Sequence, residues 1–332
     1  MTKMMFLLQC WRLLPSHFLN GSWLRTGLLV SGLMSGLVFS SIANANPTTP
    51  PKTATLDQIL SQQHQCSAGL TLRSAALTQP QQQAACSQLA AIEQRFHQLF
   101  QTAGKPVKHD HNNMLRANIY QSKQQYVEFA SQHFQMPTDN GGMYLEGFPD
   151  KPGNQAEFVA YQREQGQVWN LSHEFVHYLD GRFNLYGDFC ATLHDSHAPP
   201  ENCPTPAPDT PYLVWWTEGM AEYVAHGADN PEALKLAATQ QFKLSELFHT
   251  GYERNHGSDR IYRWGYLAAR YLLEQQRSKA DTMLNLLRNG DYPRYQALVR
   301  SWGTSMDQEF SGWLTQQAIT GTTATQAVSS GK

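Results

Sequence analysis

The sequence of 332 residues predicts an α+β fold, in which a small mixed β-sheet with one functional helix precedes a mainly helical half. Short β-prone segments at 115–120, 143–148 and 156–163 alternate with segments of helical spacing. From residue 231 to about 316, apolar residues recur at the three- and four-residue intervals that are typical of packed helices. With 41% apolar and 16% charged residues, the chain can bury a hydrophobic core.

Charge and composition exclude some classes of protein and partner. The apolar content argues against a disordered chain. The formal net charge of −2 gives no indication of nucleic acid or an anionic membrane as a partner. We therefore expect a globular monomer without either partner.

Residues 1–45 predict a secretory signal peptide. Arg25 precedes an apolar run at 27–42, and the small residues Ala43 and Ala45 suit a signal peptidase. We therefore expect a secreted or periplasmic protein that is cleaved near Ala45. The alternative is an uncleaved anchor, because the stretch before the apolar run is long for a signal. No later segment is apolar enough to cross a bilayer.

The cysteines predict disulfide bonds. Cys10 would leave with the signal, and four cysteines would remain in an oxidising compartment. Three pairings are possible, of which Cys66–Cys86 and Cys190–Cys203 close the shortest loops. No pair has the CxxC spacing of thiol redox or zinc sites.

Residues 46–104 predict an N-terminal helical segment with a probable disulfide. Leu89, Ile92 and Phe96 recur at helical spacing, and two short helices are expected across the Cys66–Cys86 region. The role of this segment stays open between the remnant of a larger domain, a small cap and a removable pro-segment.

The remaining chain divides into a first subdomain at 105–228, a helical subdomain at 229–316 and a tail at 317–332 that is disordered in composition. The first subdomain is expected to contain, in order, strand 115–120, helix 122–134, strands 143–148 and 156–163, a helix from about 167 to 180, a Pro-rich loop at 186–211 and helix 214–227.

The stretch LSHEFVHYLDGRF, at 171–183, carries the main chemical signal. His173 and His177 are four apart, so on a helix both imidazoles point to one place, where zinc accepts neutral nitrogen ligands. Glu174 lies beside the first histidine, where a carboxylate can take a proton from an activated water. The alternative is a helix whose histidines face solvent or the core.

A third ligand is expected from a later helix, because Asp180 and Phe183 do not fit the longer histidine motif HExxHxxGxxH. The segment WWTEGMAEYVA supplies Glu218 and Glu222, which share one helical face. Glu218 is assigned to zinc, and Glu222 is assigned to a hydrogen bond with a ligand histidine. The alternative for both is an exposed helical carboxylate.

Together, HEFVHYLDGRF and WWTEGMAEY resemble the microbial collagenase family, the zinc peptidases of Vibrio and clostridial type. TDNGGMYLEG upstream and DRIYRWGYLAARYLLEQ downstream extend this resemblance over about residues 105–315. The resemblance implies the catalytic domain of a thermolysin-like zincin, in which zinc is bound by the assigned residues and Glu174 is the general base. It also implies a calcium site, with Glu146 and the main-chain oxygens near Gly181 and Leu185 as candidate ligands.

The resemblance implies a secreted zinc endopeptidase that acts on gelatin, collagen-like or other unfolded peptides. The large collagenases carry a helical activator domain before this unit, whereas here only residues 46–104 lie between the predicted signal peptide and the unit. This difference puts cleavage of the intact triple helix in doubt. The alternatives are another zinc hydrolase, such as an exopeptidase, and a non-catalytic zinc-binding module. From the residues alone, strand 143–148 is a candidate for pairing with an extended substrate.

Three further features stay open in the sequence. Tyr262 and Tyr266 are candidate donors to the substrate oxyanion, although aromatic residues at this spacing are more often part of the core. An outward-facing position on a strand explains Glu146 as well as a role in binding calcium does. The run HDSH at 194–197 is better explained by a solvated loop than by a second metal site.

Overall fold

The computed structural model describes residues 54–195, 203, 205–207, 209–253 and 257–329. The predicted signal peptide, residues 1–45, lies outside the described residues. Within them, no helix combines the length and apolarity needed to cross a membrane.

A five-stranded mixed sheet forms the first half, which confirms the predicted α+β class. Its strands are β1 (Gln62–Ser67), β2 (Leu70–Ser74), β3 (Leu115–Tyr120), β4 (Met143–Leu145) and β5 (Ala156–Tyr161), in the spatial order β1-β2-β3-β5-β4. The pairs β2–β3 and β3–β5 are parallel, whereas β1–β2 and β4–β5 are antiparallel. The short strand β4 therefore forms one edge of the sheet.

The N-terminal segment differs from its prediction. Instead of two short helices, it forms helix α1 (Leu56–Ile59), the hairpin β1–β2 and the long helix α2 (Gln79–Phe100). The hairpin forms because Leu70 and Leu72 alternate with polar residues, and β2 then pairs with β3. The sheet thus begins at residue 62 rather than after residue 105, and this segment shares the hydrophobic core of the domain.

Both predicted disulfides form. Cys66–Cys86 joins β1 to α2, and Cys190–Cys203 closes the loop after the histidine helix.

Helices cover both faces of the sheet. Alternate residues of β2, β3 and β5, among them Leu72, Ala117 and Phe158, are buried in one cluster with residues of α2 and of the histidine helix α4 (Leu171–Phe183). The opposite side chains of β3 and β5 pack against helix α3 (Lys123–Phe134). Helix α4 begins later than the predicted residue 167, because Val168 forms a bridge with Gln162, and it continues past Gly181.

The second half is mainly helical, as predicted. It follows α5 (Val214–His226), which ends the first half, and contains α6 (Pro231–Ala237), α7 (Leu244–Leu247), a π-helical turn (Asp259–Trp264), α8 (Gly265–Gln275), α9 (Arg277–Arg288), α10 (Tyr292–Trp302) and α11 (Asp307–Ser329). Residues 317–332 were predicted to form a disordered tail. The structure differs from this prediction, because the helical backbone of α11 continues to Ser329.

Two contacts join the halves. Helices α5 and α8 cross closely at two glycines, and a Cβ atom on Gly219 would lie 2.1 Å from the carbonyl oxygen of Gly265. At the C-terminal end of α2, Arg277 donates to the carbonyl oxygen of Leu99 (2.8 Å) and Arg288 donates to that of Phe100 (3.1 Å). Both arginines lie on α9, so the first long helix ends against the second half.

Candidate metal centre

Two histidines of α4 meet at the floor of a cleft of about 260 Å³. Their Nε2 atoms lie 3.0 Å apart, and His173 is 5% exposed. The four-residue spacing places both rings on one face of α4, as the sequence predicted.

Helix α5 brings Glu218 to the same point. Its Oε2 atom lies 3.1 Å from Nε2 of His173 and 3.5 Å from Nε2 of His177. Tetrahedral zinc, with bond lengths of about 2.0–2.2 Å, separates its ligand atoms by about 3.3–3.5 Å. The two imidazoles and one carboxylate, at separations of 3.0 to 3.5 Å, are close to this spacing, so the three residues could hold a metal ion such as zinc.

A hydrogen-bond chain orients the first histidine. Nδ1 of His173 bonds Oε1 of Glu222 at 2.8 Å, and Asn230 donates to the other carboxylate oxygen of Glu222 at 3.1 Å. Because the carboxylate accepts from Nδ1, Nε2 is the nitrogen of His173 that faces the centre. Asn230 also accepts from the backbone N–H of Ala233 at the start of α6.

The charges of these groups are complementary. Burial alone would raise the pKa of Glu218, but His177 and His173 outweigh it and hold that pKa below its usual value. Burial likewise acts to lower the pKa of His173, but hydrogen bonds to Glu218 and Glu222 raise it well above the ordinary value. The site therefore favours a compensating positive charge between buried carboxylates.

Glu174 lies beside the three ligand candidates and faces the edge strand. Burial raises the pKa of its carboxyl, against the influence of His173 and His177. The backbone N–H of Tyr144 in β4 hydrogen-bonds this carboxyl, and a Cβ atom on Gly142 would lie 3.4 Å from its Oε1. A buried carboxylate with a raised pKa is suited to accept a proton.

The two tyrosines named in the sequence have different positions. Tyr262 lies on the π-helical turn, lines the cleft and has its ring centroid 5.9 Å from that of His173. Burial, followed by the nearby Glu218 and Glu174, raises its pKa well above the ordinary value, so it keeps its proton for donation. Tyr266 instead donates to the carbonyl oxygen of Gly227 and is fully buried in the core.

Glu146 follows β4 and is buried, at 8% exposure, so it is not an outward-facing strand residue. A Cβ atom on Gly181 would lie 2.5 Å from its Oε1, which places its carboxyl against the end of α4. Burial, with contributions from Asp188 and Asp110, raises its pKa to about 8. Leu185, the third candidate near calcium, lines the same cleft.

Asp180 is buried near the end of α4. It accepts a hydrogen bond from the side-chain amide of Asn184 at 2.9 Å, and Arg288 donates to the oxygen of that amide at 2.8 Å. Asp180 therefore takes part in fixing the end of the helix.

Sequence reasoning missed Tyr252, whose hydroxyl donates to Oε1 of Glu218. Tyr252 lies in the loop after α7, and no local pattern connects it with α5. The first two residues of the HDSH run, His194 and Asp195, are also buried rather than solvated. The last two lie outside the described residues.

Comparisons with known proteins agree with this geometry. The family model of the peptidase M9 collagenases matches residues 46–313. The chain is 42% identical over 275 residues to a microbial collagenase of Vibrio alginolyticus, and this alignment covers 81% of the chain and 31% of the relative. A microbial collagenase of Vibrio vulnificus is 38% identical over 266 residues, which cover 79% of the chain and 31% of the relative.

Similarity extends to clostridial proteins at lower identity. Collagenase ColT of Clostridium tetani is 24% identical over 223 residues, which cover 63% of the chain and 20% of the relative. The chain therefore spans less than a third of the length of the relatives it matches.

Proposed function

The chain belongs to the peptidase M9 collagenase family, and from this premise we propose that it is a secreted, thermolysin-like zinc endopeptidase. The proposed substrates are gelatin, collagen-like peptides and other unfolded polypeptides. The observation that carries the proposal is the convergence of His173, His177 and Glu218 within 4.8 Å, with Glu174 beside them in an open cleft.

The side chains have distinct proposed roles. His173, His177 and Glu218 would bind zinc, and Glu222 would keep His173 in the required tautomer. When bound, zinc would polarise the scissile carbonyl and acidify the attacking water. Glu174 accepts a proton from that water and delivers it to the leaving amine.

Tyr262 is proposed as the donor to the carbonyl oxygen as that oxygen gains charge. Its raised pKa keeps the hydroxyl protonated at neutral pH, and its ring borders the cleft next to His173. Donors placed where negative charge develops contribute strongly to acyl-transfer reactions.

The edge strand β4 is proposed to bind the substrate by β-addition. Residues 140–146 line one side of the cleft, and β4 pairs with β5 on its other edge. An extended peptide could therefore add to the outer edge, beside the N–H of Tyr144 that hydrogen-bonds Glu174. Because one edge accepts one extended chain, this geometry favours single unfolded strands over an intact triple helix.

Calcium is proposed as a second, structural ion near Glu146. Its buried carboxylate lies near the half-buried Asp188 and Asp110, of which Asp110 also pairs with Arg182, and a hard cation would stabilise acidic groups that lie close together in this way. The main-chain oxygens near Gly181 and Leu185 are proposed to complete the ligands. Added calcium should then raise the Tm of wild type more than that of Glu146→Gln.

Secretion is proposed from the predicted signal peptide at 1–45. The two disulfide bonds support it, because such bonds persist in oxidising compartments.

The decisive experiment compares purified mature protein with Glu174→Ala, and Glu128→Ala on the exposed face of α3 serves as the matched control. Zinc content is measured by elemental analysis, and cleavage is measured on gelatin and on a collagen-like peptide. We expect one zinc per chain in all three proteins and cleavage by wild type and the control only.

Other outcomes would redirect the assignment. A wild type that binds zinc and only trims peptides from one end is an exopeptidase, and one that binds zinc and cuts nothing is a binding module. A wild type without zinc would refute the proposed metal centre.

A further inference from the structure

The two carboxylate oxygens of Glu218 have different surroundings. Oε2 faces Nε2 of His173 and His177, at 3.1 and 3.5 Å. Oε1 points away from the histidines and accepts a hydrogen bond from the hydroxyl of Tyr252. Glu218 is 5% exposed, so bulk water does not replace that donor.

Tyr252 is itself fixed through its chain neighbours. The carboxylate of Asp195 accepts from the backbone N–H of Glu253 at 3.2 Å. On the other side of Tyr252, a Cβ atom on Gly251 would lie 2.2 Å from the same carboxylate, so the backbone of Gly251 is packed directly against it. Asp195 is 2% exposed and therefore forms a buried support for both flanks of Tyr252.

The support belongs to the loop that the second disulfide closes. Asp195 lies within the span of Cys190–Cys203. The preceding residue, His194, stacks on Phe189 with ring centroids 4.2 Å apart and an interplanar angle of 7°. This stack packs the loop just before Asp195, which gives the first half of the HDSH run a structural use.

We propose that Tyr252 is a positioning residue for the carboxylate ligand, and that Asp195 holds Tyr252 in place. The hydroxyl would keep Oε1 of Glu218 turned away from the ion, so that Oε2 alone binds it. This proposal rests on the proposed zinc function of the same site. It gives Glu218 a hydrogen-bond partner comparable to the one that Glu222 gives His173.

The physical reason is rotational freedom of the carboxylate. A carboxylate without a second partner can turn and bind an ion through one or both oxygens, whereas a donor on one oxygen fixes the orientation and stabilises its charge. Loss of such hydrogen bonds to metal ligands typically weakens metal binding by about 10–100-fold.

The test uses Tyr252→Phe, with Tyr223→Phe as the matched control. Tyr223 lies on α5, the helix of Glu218, and its hydroxyl donates to Glu274 at 2.9 Å, away from the centre. Zinc affinity is measured by competition with a chelator. The visible absorption spectrum of the cobalt-substituted protein reports the ligand geometry directly.

We expect Tyr252→Phe to lower zinc affinity by about 10–100-fold and to change the cobalt bands, while Tyr223→Phe matches wild type. Asp195→Asn provides a second variant, with a smaller loss of affinity and a change of the cobalt bands in the same direction. Asp195→Asn also tests the proposal if the Tyr252→Phe protein does not fold.

Unchanged zinc affinity and cobalt spectra in the folded variants would overturn the inference and leave the peptidase assignment intact. A wild type that binds zinc nowhere would instead remove the proposed function, and the inference with it. The two failures are therefore distinguishable in the same set of measurements.

Discussion

The helices that contribute the candidate zinc ligands achieve their geometry in different ways. On α4, one turn of helix brings His173 and His177 together, whatever lies around it. On α5, the position of Glu218 depends on the close crossing with α8 and on Tyr252, which is 34 residues further along the chain. One side of the centre is thus set by local geometry, and the other side is set by tertiary packing.

The largest expected effect is on zinc affinity, and it is tested by replacing each of the two α5 carboxylates in turn. Glu218→Gln removes a proposed ligand and should reduce zinc affinity by well over 100-fold. Glu222→Gln removes only the partner of a ligand and should reduce it by about 10–100-fold. Chelator competition measures both values, and equal losses would contradict the assignment of Glu218 to the metal.

The packing of α5 is tested by Gly219→Ala. The added methyl group would meet the carbonyl oxygen of Gly265 at 2.1 Å, and because that contact is with backbone, a helix must move. We expect the free energy of unfolding to fall by about 3 kcal/mol, measured by chemical denaturation.

Gly312→Ala on α11 is the control for this exchange, because its Cβ atom would have no neighbour within 4 Å. It should be neutral or raise the free energy of unfolding by up to about 1 kcal/mol. Equal stability of the two variants would show that the helix crossing tolerates a side chain.

A comparison of Tyr262→Phe with Tyr266→Phe distinguishes an effect on catalysis from an effect on the packing of the helical half. For Tyr262→Phe, we expect kcat/KM on a peptide substrate to fall by about 10²-fold with zinc content unchanged, because a donor to the substrate oxygen is lost. Tyr266→Phe should instead lower the free energy of unfolding by about 1 kcal/mol and leave kcat/KM near wild type. Similar kinetics of both variants would contradict the role proposed for Tyr262.

The smallest expected effect is on the pH dependence of stability, and it comes from a buried histidine whose surroundings differ from those of the two α4 histidines. His194 is 3% exposed, and burial lowers its pKa to about 4, against smaller opposing contributions from Glu253 and Asp188. Above pH 6.5 the residue is neutral in both folded and unfolded chains. As pH falls towards 4, the unfolded chain takes up a proton that the folded protein excludes, so stability decreases.

At pH 5 this loss should be about 2 kcal/mol relative to pH 7. His194→Gln should therefore lose about 2 kcal/mol less than wild type between those pH values, as measured by denaturation. If both proteins lose the same amount, His194 does not contribute to the acid sensitivity.

Features with a local cause could be predicted from the sequence. The spacing of His173 and His177, the α5 helix and the two short-range disulfides need only neighbouring residues, and the structure contains all of these features. The family resemblance, which depended on the two helix motifs, is confirmed by the match over residues 46–313.

Features with a distant cause were missed. The hairpin at 62–74 is stabilised by pairing with β3, more than 40 residues away, while its Gln-rich strand gives a weak β signal. The burial of Glu146 depends on the end of α4, and the contact of Tyr252 with Glu218 depends on a loop between helices. No periodicity in the sequence indicates such contacts between residues that are distant in the chain.

The end of α2 has a consequence for the order of folding. Its last carbonyl groups bond to Arg277 and Arg288, which lie 178 and 188 residues further along the chain. These carbonyls lack their protein partners until α9 has formed, so the domain cannot be completed progressively from its N-terminus. Nascent chains that stop before α9 should therefore be sensitive to proteases at α2, and this sensitivity should disappear only when almost the whole domain is present.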